Sequence, residues 1–407
     1  MGNNHRKIGD FIKPVKVKNR ELKYSELLGI NIEKFFMPSV ANVVGTDLTN
    51  YKIVKPGQFA CNRMHVGRDY RIPVALSREK DPFIVSPAYD VFEIARPNEL
   101  DADYLMMWFS RKEYDRNAWF YTDADVRGGL SWDAFSGIGI PVPPIEKQRE
   151  IVAEYQAVQK RIQINEQLIQ KLEETAQAVY RRWFVEFEFP DENGNPYKSS
   201  GGKMVWCEEL GKEVPEGWEV IPIKDFCKEM KSGGTPSRDN INYWNSKDIP
   251  WLKTGEICNR VLIESEEYIS LEGYKNSSAK ILPVNTVLIA MYGEGKTKGQ
   301  AGYLRFEATT NQACCAMICE NEFQSSFLYY FLRINQSEIA NLAIGGAQPN
   351  LSKELVEKIR LISPSSKDFS KHELVKIINY SEILEKENQK LTVLKELLLS
   401  KLATIEN

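Results

Sequence analysis

Histidine is almost absent from this chain of 407 residues: only His5, His65 and His372 occur. The seven cysteines include no Cys-x-x-Cys pair, so the ligands for a zinc site are lacking, and an odd number spread over so long a chain makes no disulfide framework. Cys314, Cys315 and Cys319 cluster in a strand-like stretch and are expected as buried thiols. No run approaches the ~18 apolar residues of a membrane span, and the N-terminal residues MGNNHRKIGDFIK hold no apolar signal region, so the chain is expected in the cytoplasm. Catalytic signatures are missing as well: there is no HExxH, GxSxG, zinc-deaminase or PD-(D/E)xK pattern, and no Asn-Pro-Pro-Tyr of an adenine methyltransferase. With a net charge of -3, any binding of nucleic acid has to come from local positive charge. Hydrophobic residues at 43% and charged residues at 27% describe a globular protein, long enough for two to three domains.

What is present is a long helical stretch, residues 141–190. Pro141, Pro143 and Pro144 cannot continue a helix, and Pro144 stands just before a first turn that carries Glu146. From there Ile151, Tyr155, Val158, Ile162, Asn165, Ile169, Leu172, Ala176, Val179 and Trp183 follow at alternating steps of four and three, the spacing of a coiled-coil seam. Asn165 occupies a seam position, where one polar residue sets register. At 1.5 Å per residue, ~40 residues make a rod roughly 60 Å long, which needs a partner helix. Val185, Phe187 and Phe189 alternate with glutamates, which predicts a half-buried strand, and a polar linker follows over residues 191–202.

The segments on either side of this helix resemble each other. Residues 50–71 and 278–299 both read as strand, turn, strand and basic loop, with Met64 and Met291 in step. The strand VSPAYDVFEI answers TNQACCAMIC, and the amphipathic helix DADYLMMWF answers QSSFLYYF. Gly128-Gly129-Leu130-Ser131 answers Gly345-Gly346 with Pro349-Asn350-Leu351-Ser352 behind it, and GIGIPVPP answers KIRLISP. A closing helix over residues 369–404 carries Ile377, Leu384, Leu391, Leu394 and Leu398. Two copies of one unit are therefore expected, each a mixed α+β globule followed by a long helix, with the helices paired antiparallel.

PVPPIEKQREIV after a mixed globule, the helix ending YRRWFVEFEFP, VPEGWEVIPIKDF at 214–226, and GGTPSR followed by YWNSKDIPWLKTGEI together resemble the specificity subunit of type I restriction-modification systems. The likeness extends over nearly the whole chain. It implies an α+β chain with two similar mixed α/β globular target-recognition domains, separated by a pair of long helices that form an antiparallel coiled coil. The corresponding division is 1–144 (first recognition domain), 145–184 (first helical spacer), 185–364 (linker and second recognition domain) and 365–407 (second spacer). The resemblance further implies a non-catalytic subunit, each globule of which reads half of a bipartite site in double-stranded DNA. The expected partners are two DNA methyltransferase subunits that use S-adenosylmethionine on adenine, and restriction subunits that are ATP-dependent nucleases and translocases. S-adenosylmethionine, ATP and Mg would then belong to those partners, with no cofactor or metal on this chain. One departure is that residues 364–368 lack the Glu-Lys-Gln-Arg pattern of residues 146–149.

The candidate DNA contacts lie in polar loops. In the first globule they are Arg63, His65, Arg68, Tyr70, Arg71 and Arg127, because arginine can fork onto guanine while His and Tyr can bond bases or phosphates. In the second they are Gly233, Gly234, Thr235, Ser237 and Arg238, then Lys253 and Thr254, Lys296 and Lys298, and Gln348 and Asn350. Tyr243, Trp244 and Trp251 are read as core. A competing reading starts from the strand VLIA before Gly295-Lys296-Thr297, which suggests a P-loop enzyme, although Ala290 stands where the first glycine belongs. A coiled-coil scaffold without DNA is a third.

Overall fold

The structure is a computed structural model and describes residues 5–39, 45–64, 66–122, 129–293, 297–343, 350–364 and 373–404, the side chains at 67 and 68 excepted. The chain divides into two compact units, Met1–Ile162 with Lys390–Asn407, and Gln163–Gln389. Each unit therefore takes one globule and part of each long helix.

In the first unit, β1 (His5–Lys7) opens the globule, and β2 (Ile12–Val15), β3 (Phe59–Cys61), β4 (Val74–Leu76) and β5 (Asp90–Ile94) form one antiparallel sheet in the order β2-β5-β3-β4. Strands β3 and β4 are buried at every residue, as short unbroken apolar runs should be. Against the sheet pack α1 (Ala102–Phe109), α2 (Lys112–Phe120) and α3 (Trp132–Gly137). Asp101 caps α1 by accepting from the amides of Asp103 and Tyr104, and Ser131 caps α3 through Ala134. Phe59 stacks on Phe92 across the sheet at 5.0 Å, and Phe109 closes on both edge-on. β6 (Gly139–Pro141) pairs antiparallel with β1 and hands the chain to α4 (Ile145–Tyr180).

The second unit repeats this plan. β7 (Glu219–Pro222) is the opening strand, and β8 (Glu229–Ser232), β9 (Val261–Leu262), β10 (Val287–Ala290), β11 (Ala301–Leu304) and β12 (Cys314–Ile318) form a sheet in the order β8-β12-β10-β11-β9. Its first four strands reproduce the first sheet, all antiparallel, with β9 added parallel to β11. α5 (Glu322–Ile334) and α6 (Lys353–Lys358) carry Asn321 and Ser352 as caps, in the places of Asp101 and Ser131. β13 (Arg360–Ser363) pairs antiparallel with β7 and leads toward α7 (Glu373–Lys401). Cys314 and Cys315 are buried in β12, and burial raises both thiols, Cys315 to about 12.

Hydrogen bonds fix how the two copies superpose. The amide of Gln58 donates to the Lys55 carbonyl and that of Thr286 to the Pro283 carbonyl; Leu130 donates to Arg63 and Leu351 to Met291, both at 3.0 Å. Arg63, and not Met64, is thus the counterpart of Met291, one residue away from the expected alignment. In the second copy the strand before the turn shrinks to a single bridge, Leu282 to Ala308.

α4 runs for 36 residues, about 54 Å at 1.5 Å per residue. Pro144 starts it, its carbonyl accepting from Lys147 and Gln148. Ile151, Tyr155, Val158, Ile162, Asn165, Ile169, Leu172, Ala176 and Val179 are all buried or half-buried, while most residues between them are exposed. On α7 the row Ile377, Ser381, Leu384, Asn388, Leu391, Lys395 and Leu398 is buried or half-buried, and Leu402 continues it just past the helix end. Leu394 falls outside that row and is 43% exposed, so it is not a seam residue. The expected strand at 185–189 does not form. Arg181–Val185 is one π-helical turn, Phe187 takes a left-handed φ of +65°, and Phe184, Phe187 and Phe189 enter the core beside Trp218. Of the alternating residues, Phe187 and Phe189 are buried from an irregular segment, while Val185 is exposed.

Within the second unit the helices run antiparallel. Asn165 meets Asn388, while Ala176 and Ile377 share the core beyond. Two partly buried arginines tie that pair to the globule. Arg305 reaches Glu382 and Asn379 of α7 at 2.6 and 2.9 Å, and Arg333 reaches Glu173 of α4 at 2.9 Å.

Candidate nucleic-acid interface

Arg63 lies two residues past the end of β3. Its guanidinium holds Asp90 of the neighbouring β5 at 2.7 and 2.8 Å, donates to the Leu130 carbonyl, and lies 5.7 Å from the Trp132 ring. Only 17% of this side chain is exposed, so exchanging Asp90 for DNA would leave a largely buried carboxylate with only Lys52, at 4.0 Å, as its cation. Arg63 is therefore spent on joining the loop after β3 to the loop before α3. Arg71 differs, because its partner Glu33 is itself exposed and a surface pair of roughly 0.2–1 kcal/mol is readily given up. Tyr70 is exposed, with a left-handed φ of +55°, and its ring lies 5.5 Å from Trp119. His65, Arg127, Lys296 and Gln348 lie outside the described residues, as does the side chain of Arg68.

In the second globule the loop 233–238 is held from below by indoles. Trp251 Nε1 donates to the Gly234 carbonyl at 2.9 Å and Trp244 Nε1 to the Ser237 carbonyl at 3.0 Å. The two rings meet edge-on at 4.9 Å, and the Arg238 guanidinium lies over Trp244 at 3.5 Å. Glu267 then accepts from Arg238 at 2.6 Å and from Lys253 at 2.9 Å. Burial opposes ionisation of Glu267, but the bonds from Lys253 and Arg238 outweigh it and hold the carboxyl below its usual range; the same contact raises Lys253. Lys253 also holds Glu266 at 3.2 Å, so Arg238 and Lys253 are tied to two carboxylates on one surface, beside a rigid loop.

Gly233 and Gly234 have a packing reason. A β-carbon on Gly233 would run into the Thr310 and Asn311 carbonyls, and one on Gly234 into Ser278 and Ala279. The Thr235 hydroxyl donates to the Gln312 side chain, and Ser237 is exposed. Thr254 begins the short helix Thr254–Ile257, where buried Glu256 accepts from the amides of Lys253 and Glu266, both at 2.8 Å. Lys298 lies in the connection between β10 and β11, and Asn350 is exposed ahead of α6.

That connection removes the P-loop reading. A phosphate-binding loop leads from a strand into a helix whose amides face the ligand, whereas β10 turns back through Gly299, at φ +79°, into the antiparallel strand β11. Sequence reasoning overlooked three exposed aromatic residues at the end of α2, Trp119, Phe120 and Tyr121; the signal available was three adjacent rings followed by a polar run.

The family model described as type I restriction modification DNA specificity domain matches residues 72–174 and 215–396, one segment in each half of the chain. The specificity subunit of the type I restriction enzyme HindI from Haemophilus influenzae is 25% identical, over 97% of both chains. The MjaIX specificity subunit from Methanocaldococcus jannaschii is 26% identical over 67% of this chain and 62% of its own. The crystal structure of a type I restriction-modification S subunit from M. genitalium aligns over 99% of this chain and 97% of that one, with a TM-score of 0.56 and 17% identity, a likeness in fold. With both halves matched, the chain belongs to the type I restriction modification DNA specificity family. Its place is that of a DNA-recognition subunit in a restriction-modification complex. No helix among the described residues is long and apolar enough to cross a membrane.

Proposed function

We propose that each globule reads one half of a bipartite site in duplex DNA, and that α4 and α7 set the gap and offer their flanks to two methyltransferase subunits. The observation that carries this is the repetition: β2-β5-β3-β4 and β8-β12-β10-β11 are the same sheet, each closed by a first-to-last strand pair that feeds a long helix. Two equal readers joined by helices suit two half-sites at a set spacing. Arg71, Arg238 and Lys253 are cations whose ion pairs with Glu33, Glu267 and Glu266 lie at the surface, where phosphates can compete for them.

In this reading the chain performs no chemistry of its own. Adenine methylation with S-adenosylmethionine, and ATP- and Mg-dependent cutting by restriction subunits, fall to its partners in the cytoplasm. The test is salt-dependent binding of duplex DNA by the chain with its methyltransferase partner. Arg238→Ala should weaken binding at one half-site and leave protection of the other intact; equal loss at both would count against separate readers.

A further inference from the structure

The end of α2 in the first globule carries Trp119, Phe120 and Tyr121, with Phe120, at 75%, the most exposed large apolar side chain among the described residues. Tyr121 and Trp119 are 53% and 45% exposed. Phe120 and Tyr121 meet edge-on at 5.5 Å, and Tyr70 joins from the other side through Trp119. An aromatic side chain gives up roughly 150–250 Å² of surface when it is buried, so four exposed rings together make a patch large enough to mark a binding surface.

The surroundings say what covers it. The short helix Val66–Asp69 packs against α2. This brings Arg71, whose pair with Glu33 is a surface one, to the same end of the globule. Arg63, three residues before that short helix, accepts from the Leu130 amide, which joins the patch to the loop cluster of the candidate interface. Arg116, one turn earlier on α2, is 75% exposed, and its partner Glu113 is exposed too. Rings flanked by cations whose surface ion pairs are cheap to exchange match a polyanion with stacked bases.

We propose that Phe120, supported by Trp119, Tyr121 and Tyr70, is an aromatic wedge that the first globule presses against a base step of its half-site. The step is partly unstacked, and the globule thereby senses how easily it deforms. Exposed apolar side chains inserted between base pairs unstack and bend duplex DNA, which selects sequence at positions never hydrogen-bonded. This rests on the reading of the globule as a DNA reader and adds a second kind of discrimination to it.

The experiment uses the full chain with its methyltransferase partner on duplexes carrying the mapped site, with 2-aminopurine placed singly through the first half-site and its flanks. Wild-type complex should raise fluorescence at one step. Phe120→Ala should abolish that rise and weaken binding about tenfold or more while the second half-site stays protected; Phe120→Trp should keep both. A bipartite footprint with no responsive position, or an F120A response equal to wild type, overturns the wedge while leaving the DNA reading standing. If F120A instead loses the methyltransferase partner with its DNA readouts unchanged, the patch is a protein interface and the wedge is overturned. Wild-type complex that gives no footprint at all overturns the DNA reading, and the wedge with it.

Discussion

Asn165 and Asn388 face each other in the seam of the helix pair, the Nδ2 of Asn165 donating to the Oδ1 of Asn388 at 2.9 Å. Asn165 is 1% exposed, and its own Oδ1 has no protein partner among the described residues. The bond between them forms in one register only, because a slide by one heptad would set Asn388 against Val158 or Leu172 and Asn165 against Ser381 or Lys395. Stepping outward along the seam from this pair sets Ile169 opposite Leu384 and Ala176 opposite Ile377, all covered positions.

Replacing one member should cost more than replacing both. Asn165→Leu leaves the half-buried Asn388 side chain without its donor and should destabilise the chain by about 1–3 kcal/mol, whereas the N165L/N388L double variant should be at least as stable as wild type. Thermal melting of the three proteins checks this. A single variant as stable as the double would mean that the pair does not fix register.

Spacing should follow helix length. Removing residues 156–162 and 391–397 together deletes one heptad from each helix, leaves Asn165 and Asn388 in place, and shortens the rod by about 10 Å. At about 3.4 Å per base pair the unspecified gap should contract by up to about three base pairs. A gap of unchanged length in the mapped recognition site would contradict the helices' role as spacer.

Gln148 should be a structural keystone. Fully buried, it accepts from the Asp101 amide at 2.9 Å and donates to the Glu99 and Pro143 carbonyls, both at 2.7 Å. The start of α4 is thereby tied to the cap of α1. Gln148→Ala should cost about 1–3 kcal/mol through the groups left unpaired. Denaturant unfolding would show a lower midpoint; an unchanged midpoint would remove that role.

Glu267 should leave a trace in acid. Its folded pKa lies below the usual 4.5, so its contribution is present above the unfolded value and is lost as pH falls through the folded one. Between roughly pH 5 and 3, wild type should lose stability more steeply than Glu267→Gln, by an amount in keeping with surface pairs of roughly 0.2–1 kcal/mol each. Parallel melting curves for the two proteins over that range would contradict it.

Much of the architecture is legible in the sequence because it rests on periodicity. On α4 the four-and-three spacing from Ile151 to Val179 falls on buried or half-buried positions, since a long helix paired with one partner has one main covered stripe. On α7, Leu394 misleads because leucine dominates that helix, while the true row includes Ser381, Asn388 and Lys395. The repeat is visible in the order of its features, but its alignment slips by one residue, since Met64 and Met291 look alike while hydrogen bonds equate Arg63 with Met291. The interface is less legible. A sequence names cations but not their partners, and only the fold brings Asp90 beside Arg63 or Glu267 beside Arg238 and Lys253. Three adjacent rings at a helix end suit a core as well as a surface, and only the fold shows Phe120 left outside.

The central claim, two readers at a set spacing, is tested most directly by mapping methylated adenines in DNA from cells that carry this chain and its methyltransferase partner. The expected result is one bipartite motif with an unspecified gap of constant length, a methylated adenine in each half, and a change confined to one half when Arg238 is replaced. A single contiguous motif, or halves whose spacing varies from site to site, would contradict it.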